Sequence, residues 1–167
     1  MKQLLITTFG LGFMRPAPGT WGSMPTAALA WAMLLLGTET VPYHAAMAAV
    51  LVVFSFACVW GGGWAESRFG RKDPSQVVAD ETAGQAIALV LPPTAWFAGA
   101  ETPLMQGVRV TIFVAAAFVA FRVMDIIKPP PAHGLQRIKG GAGILIDDLL
   151  AGVYAAVIVQ VVFRFIA

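Results

Sequence analysis

The chain has 167 residues and a formal charge of +2, and 58% of its residues are hydrophobic against 12% charged. A soluble domain carries about 45–50% apolar and about 25% charged residues, so this composition predicts a membrane protein. Eleven basic residues scattered among apolar runs argue against a nucleic-acid footprint, and a lone cysteine, Cys58, excludes an intrachain disulfide and leaves no basis for a cysteine metal site.

The N-terminal stretch MKQLLITTFGLGFMRPAPGTWGS opens with a lysine and a short apolar run. Gly10, Gly12, Pro16 and Pro18 interrupt the unbroken core that a cleavable signal needs, so the stretch reads as mature protein. A first helix is expected from about Ser23 to Leu36, with Ser23 as N-cap and Pro25 in the first turn. A second, from about Tyr43 to Ser67, is long enough to span. A third begins near Pro74, carries Asp80 and Glu81 early, and ends before Pro92 and Pro93. A fourth covers about Met105 to Ile127 and stops at KPPP; a fifth starts after Gly143 and runs to about Ile166. Spanning takes about 17–25 residues, so helices two, four and five qualify and helices one and three are marginal. The expected architecture is an all-α, up-and-down bundle of about five helices in one domain over residues 1–167, a polytopic membrane protein.

Short connections place the helix ends on two sides. Nine of the 11 basic residues fall on one of them: Lys2, Arg15, Arg68, Arg71, Lys72, Arg122, Lys128, Arg137 and Lys139, against Arg109 and Arg164 on the other. The positive-inside rule makes the first side cytoplasmic. Seven of the nine acids sort the same way, with only Glu39 and Glu101 opposite. Asp80, Glu81, Asp125, Asp147 and Asp148 thus converge near one membrane surface if their helices adjoin. Carboxylates so placed repel one another until protons or cations intervene, and hard oxygen ligands suit Mg²⁺, Mn²⁺ or Ca²⁺.

Cations and bare backbone surround these acids. Arg122, Asp125 and Lys128 are spaced by three residues and share a face if the helix reaches Lys128. The stretch RIKGGAGILIDD adds Arg137 and Lys139 and a glycine-rich approach to a helix N-terminus, where free N–H groups favour phosphate. APGTWGS resembles it, ending in the hydroxyls of Thr20 and Ser23. His44 lies on the far side, and His133 has no partner arranged as a relay.

In order along the chain, APGTWGS, DPSQVVADETAGQ, FRVMDIIKPPP and GGAGILIDDLLAG resemble the motif series of the phosphatidylglycerophosphatase A family of bacterial inner-membrane lipid phosphatases. The resemblance implies Mg²⁺-dependent removal of the terminal phosphate of phosphatidylglycerophosphate, giving phosphatidylglycerol, a precursor of cardiolipin, at the cytoplasmic leaflet. Residue chemistry then distributes the roles. Asp80, Glu81, Asp147 and Asp148 are expected to hold or orient the metal, with Asp125 as ligand or base beside a catalytic Asp147 and Asp148. Thr20, Ser23, Arg122, Lys128, Arg137 and Lys139 are expected to bind the phosphate, and a water activated by the metal attacks it. The runner-up is a small ion transporter using the acidic cluster as a cation site, although a transport site belongs near the midplane and these acids sit at one end. A noncatalytic assembly subunit would explain the small residues of WGGGWAES by helix packing and leave the acids unexplained.

Overall fold

Pro18, not Ser23, starts the first long helix. The computed structural model describes residues 1–130 and 140–165. In it a short N-terminal helix, α1 (Lys2–Ile6), and a 3₁₀ turn at Leu11–Phe13 precede α2 (Pro18–Leu35). Proline at the first helical position is itself a start signal, and it lies about two turns ahead of the second proline, Pro25, which is accommodated inside the helix. Thr20 and Ser23 are therefore helical residues, not loop residues. Next come α3 (Thr40–Phe69), α4 (Ala79–Leu89), the short α5 (Thr94–Ala98), α6 (Pro103–Ile127) and α7 (Gly141–Phe165). Among the described residues every regular element is helical.

Some of the other boundaries also differ from expectation. The third predicted helix begins at Ala79 rather than near Pro74, because residues 74–78 are used otherwise: Val77 N–H donates to the Pro74 carbonyl at 2.8 Å and Val78 N–H to the Ile6 carbonyl at 2.9 Å. The fourth ends at Ile127 as expected, one residue short of Lys128. That residue adopts φ 47° as the helix cap, since Pro129 disfavours helical geometry in the residue before it. The fifth starts two residues before Gly143.

Among the described residues three helices, α3, α6 and α7, are long and apolar enough to cross a membrane. At 11 residues α4 rises only about 16 Å, half of a ~30 Å hydrocarbon core. It nonetheless occupies the centre, packing against α2, α3, α6 and α7, and nearly all of its residues are buried. Opposite ends of the long helices meet around it. Near one end the start of α7 touches the later part of α3; near the other, the Tyr43 hydroxyl at the start of α3 donates to the Leu89 carbonyl at the end of α4 at 2.7 Å. The helices thus alternate in direction as an up-and-down bundle.

In lipid there is little hydrophobic gain from bringing helices together, so close backbone approach and aromatic packing must supply the cohesion. A Cβ on Gly84 of α4 would lie 2.5 Å from the Asp148 carbonyl and 2.6 Å from the Phe121 ring, and one on Gly152 of α7 would strike the Gly84 carbonyl. Bare glycine on both helices lets α4 and α7 touch backbone to backbone. At the far end Trp96, Phe113 and Phe163 form an aromatic cluster, with centroids 4.5 Å apart for Trp96–Phe163 and 5.7 Å for Phe113–Phe163. Apolar packing thus closes one end of the bundle and leaves the other for polar groups.

Candidate active site

Asp80 and Glu81 lie in the first turn of α4, where the unsatisfied N–H groups of the helix favour negative charge. The contact of α4 with α7 sets this turn beside Asp147 and Asp148, and α6 brings Arg122 and Asp125 from the other flank. Asp80, Asp125, Asp147 and Asp148 are 5%, 8%, 2% and 2% exposed. Burial of this many carboxylates demands partners.

Part of that demand is met by two cations. Arg122 Nη1 is 3.1 Å from Asp125 Oδ2 and 3.9 Å from Glu81 Oε1. Lys128 Nζ donates to Asp147 Oδ2 and lies 3.8 Å from Asp125 Oδ1 and 4.0 Å from Asp148 Oδ1. Burial alone would lower the Lys128 pKa, but the Asp147 hydrogen bond and the charges of Asp148, Asp147 and Asp125 outweigh it and hold the ammonium protonated well above the usual lysine range. Arg122 Nη1 also reaches the Ser23 hydroxyl at 3.5 Å, and that hydroxyl donates to the Gly19 carbonyl at 2.8 Å. Thr20, in the same turn of α2, is half-buried.

The acids not fully met by these cations form a tighter group. One oxygen each from Asp80, Glu81 and Asp148 lie within 4.8 Å of one another. Asp80 Oδ1, Glu81 Oε2 and Asp148 Oδ2 are buried without a hydrogen-bond partner. Three carboxylates that each offer a hard oxygen at this spacing, and each keep one buried oxygen unpartnered, fit one divalent cation of the Mg²⁺ type. Asp147 stands apart from this triad and is turned to Lys128. The group faces a cavity of about 300 Å³ that Asp125 and Lys128 also line.

Without a cation, burial followed by the charges of Glu81 and Asp148 lifts the Asp80 carboxyl well above its ordinary range. Burial likewise pushes Glu81 from about 4.5 up to about 7, against the opposing pull of a hydrogen bond from Asp80. The sign of the linkage follows. Between about 4.5 and about 7 the folded, metal-free protein holds more protons than the unfolded chain, so stability falls as pH rises through that window. Thermal unfolding in detergent with EDTA is expected to give a lower Tm at pH 8 than at pH 5, with Mg²⁺ recovering the loss at pH 8. Equal Tm values at the two pH values would mean that these carboxyls are not buried together.

Of the residues singled out in the sequence, Asp80, Glu81, Asp125, Asp147, Asp148, Arg122, Lys128 and Ser23 meet in this one region. Arg137 and Lys139 lie outside the described residues, as does His133. Sequence reasoning missed Gly19: a Cβ there would lie 2.9 Å from the Arg122 guanidinium nitrogens and would strike Glu81 Oε1, so a larger residue would displace the tips of both side chains. It also missed Arg71, Asp73 and Ser75, which line the cavity. The charges of RKDP, between two helices on the basic side, were the available signal. Thr8 and Thr82 went unnoticed too; their hydroxyls are 2.7 Å apart and tie the N-terminal segment to α4. Isolated threonines give no such signal.

A model of the phosphatidylglycerophosphatase A family matches residues 4–163. The chain belongs to this family. Phosphatidylglycerophosphatase A of Haemophilus influenzae is 32% identical over 164 residues, covering 94% of this chain and 85% of that protein. The Escherichia coli protein of the same name is 31% identical over 156 residues, covering 92% and 78%. A Bacteroides thetaiotaomicron protein, provisionally named a phosphatidylinositol-3-phosphatase, is 37% identical over 164 residues and covers 96% and 92%. No solved structure matches the chain. As a phosphatidylglycerophosphatase, the protein is a phosphoric monoester hydrolase with membrane-spanning helices, and the carboxylate cavity is where ion-paired cations and unpartnered oxygens come together.

Proposed function

We infer that this phosphatidylglycerophosphatase hydrolyses phosphatidylglycerophosphate with Mg²⁺ at the cytoplasmic leaflet of the bacterial inner membrane. The observation that carries the inference is the Asp80, Glu81 and Asp148 triad with its unpartnered oxygens, set beside Arg122 and Lys128. Asp80, Glu81 and Asp148 hold the metal. When bound, Mg²⁺ supplies a Lewis acid that neutralises phosphate oxygens and makes water a stronger nucleophile.

The chain's own groups do the rest. Arg122 and Lys128 face the phosphoryl oxygens as charge builds there, with the buried Ser23 hydroxyl beside Arg122. Asp125 lies between Arg122 and Lys128 and fixes both cations; Asp147 anchors Lys128 from the other side. Water attacks phosphorus, the bond from phosphorus to the glycerol oxygen breaks, and that oxygen leaves with a proton as the alcohol of phosphatidylglycerol. Clustering of the acids at one end of the bundle, not at mid-depth, favours this chemistry over ion transport.

Purified protein in detergent is expected to release inorganic phosphate from phosphatidylglycerophosphate faster than from phosphatidylinositol 3-phosphate, the substrate class in the name of the Bacteroides relative. The reverse preference would move the substrate assignment. Orientation is tested separately, in a Cys58→Ala background. A single cysteine replacing the exposed Ser75 beside the cavity is expected to react with impermeant maleimide only from the cytoplasm, and one replacing Thr102 before α6 only from the opposite face. Labelling of Ser75→Cys from outside would invert the leaflet assignment.

A further inference from the structure

The lipid-facing surface between α2 and α6 is hollow. An apolar groove of about 420 Å³ runs between Met24 and Trp31 on α2 and between Thr111 and Val119 on α6, and its depth comes from small side chains such as Ala28 and Ala115. A second hollow, of about 390 Å³, continues it from Trp31 to Leu35. They meet at a bridge in which the Trp31 indole N–H donates to the Thr111 hydroxyl at 3.0 Å, and that hydroxyl donates to the Gly107 carbonyl at 2.8 Å.

The upper end of the groove lies near two residues assigned above to the phosphate. Met24 directly follows Ser23, whose hydroxyl is 3.5 Å from Arg122, and Val119 precedes Arg122 by three residues, one turn along α6. From Met24 to Leu35 the helix rises about 16 Å. That is about the depth of one leaflet of a ~30 Å hydrocarbon core. The hollow thus starts within one helical turn of Ser23 and Arg122, is lined almost wholly by apolar side chains, and is as deep as the chains attached to a phospholipid headgroup.

We propose that the α2–α6 groove seats one acyl chain of the lipid phosphomonoester while the headgroup occupies the carboxylate cavity, an assignment that rests on the lipid-phosphatase function above. Bilayer tails are as apolar as the groove walls, so the groove gains nothing from the hydrophobic effect. Its contribution is alignment. A chain lying along α2 fixes the direction from which the headgroup meets Arg122, and small misplacements of a reacting group cost up to about 100-fold in rate.

Wild type, Ala115→Phe and Val52→Phe are assayed on dihexanoyl and dipalmitoyl phosphatidylglycerophosphate. Val52 is an exposed residue of α3 that lines neither hollow. Ala115→Phe is expected to lower kcat/KM for the dipalmitoyl substrate relative to the dihexanoyl one by about tenfold. Val52→Phe is expected to leave that ratio unchanged. A second measurement reads binding directly: wild-type protein in nanodiscs is photolysed with phosphatidylglycerophosphate carrying a diazirine midway along one chain, and the cross-linked residues are mapped. Cross-links are expected to concentrate on residues 24–31 and 111–119. An unchanged chain-length ratio in Ala115→Phe, or cross-links spread evenly over the outward faces of α3, α6 and α7, overturns the proposal. Failure of wild type to release phosphate from either lipid defeats the phosphatase function instead, and the cross-link map then decides the groove on its own.

Discussion

Asp147→Asn and Asp148→Asn are each expected to lower kcat on the order of 100-fold or more, the cost of one preorganised electrostatic group, yet to respond differently to Mg²⁺. Consecutive residues on a helix point about 100° apart, so two adjacent aspartates cannot do the same work. Asp148 completes the triad with Asp80 and Glu81, whereas Asp147 receives the Lys128 ammonium. Loss of the Asp148 charge removes a ligand, and half-activity should then need more Mg²⁺. Loss of the Asp147 charge frees Lys128 to leave the phosphoryl group, so rate should fall while the Mg²⁺ dependence stays near that of wild type. Folding is controlled for by Tm in detergent. Equal shifts in Mg²⁺ half-saturation for the two variants would make Asp147 a ligand as well.

Removal of divalent cations is expected to abolish phosphate release, and added Mg²⁺ to restore it. Among the described residues, Asp73, Asp80, Glu81, Asp125 and Asp148 line the cavity with Arg71 and Lys128, while Arg122 pairs with Asp125 and Asp147 with Lys128. A phosphate monoester entering such a site adds further negative charge to an existing excess, and like charges at this range exclude one another unless a cation intervenes. Chelation should therefore raise KM and lower kcat together, and a stoichiometric metal content should return with activity. Undiminished turnover by protein that elemental analysis finds free of metal would take the cation out of the reaction.

The acids were legible in the sequence because charge inside apolar runs is conspicuous, and their common side followed from counting helix ends. Helix number was similarly open to reading at α3, α6 and α7, where apolar runs exceed the spanning length. What could not be read was mutual position. Lys128 and Asp147 are 19 residues apart on different elements, and nothing in either local pattern announces their contact. Gly19 looks like any turn glycine until α4 and α6 bring Glu81 and Arg122 against it. The start of α2 was misplaced because two prolines seven residues apart offer the same initiation signal, and the buried position of Ser23 removed any need for it to cap. Sequence periodicity reports the faces of a helix; the neighbour each face meets depends on where backbones can approach.

The shortness of α4 has a consequence for how the protein is made. A segment of 11 residues with two acids in its first turn cannot partition into the bilayer alone, because an ionised carboxylate at depth costs about 2.5–3.5 kcal/mol on insertion scales. Its lodging is built by α2 and α3, which emerge before it, and by α6 and α7, which emerge after it. Until α7 is synthesised, Asp80 and Glu81 have no Asp148 beside them and Gly84 has no backbone to rest on. The reactive centre is therefore completed last: in a chain that has not yet reached Gly141, the acids of α4 lack the α7 groups that lie beside them in the folded protein.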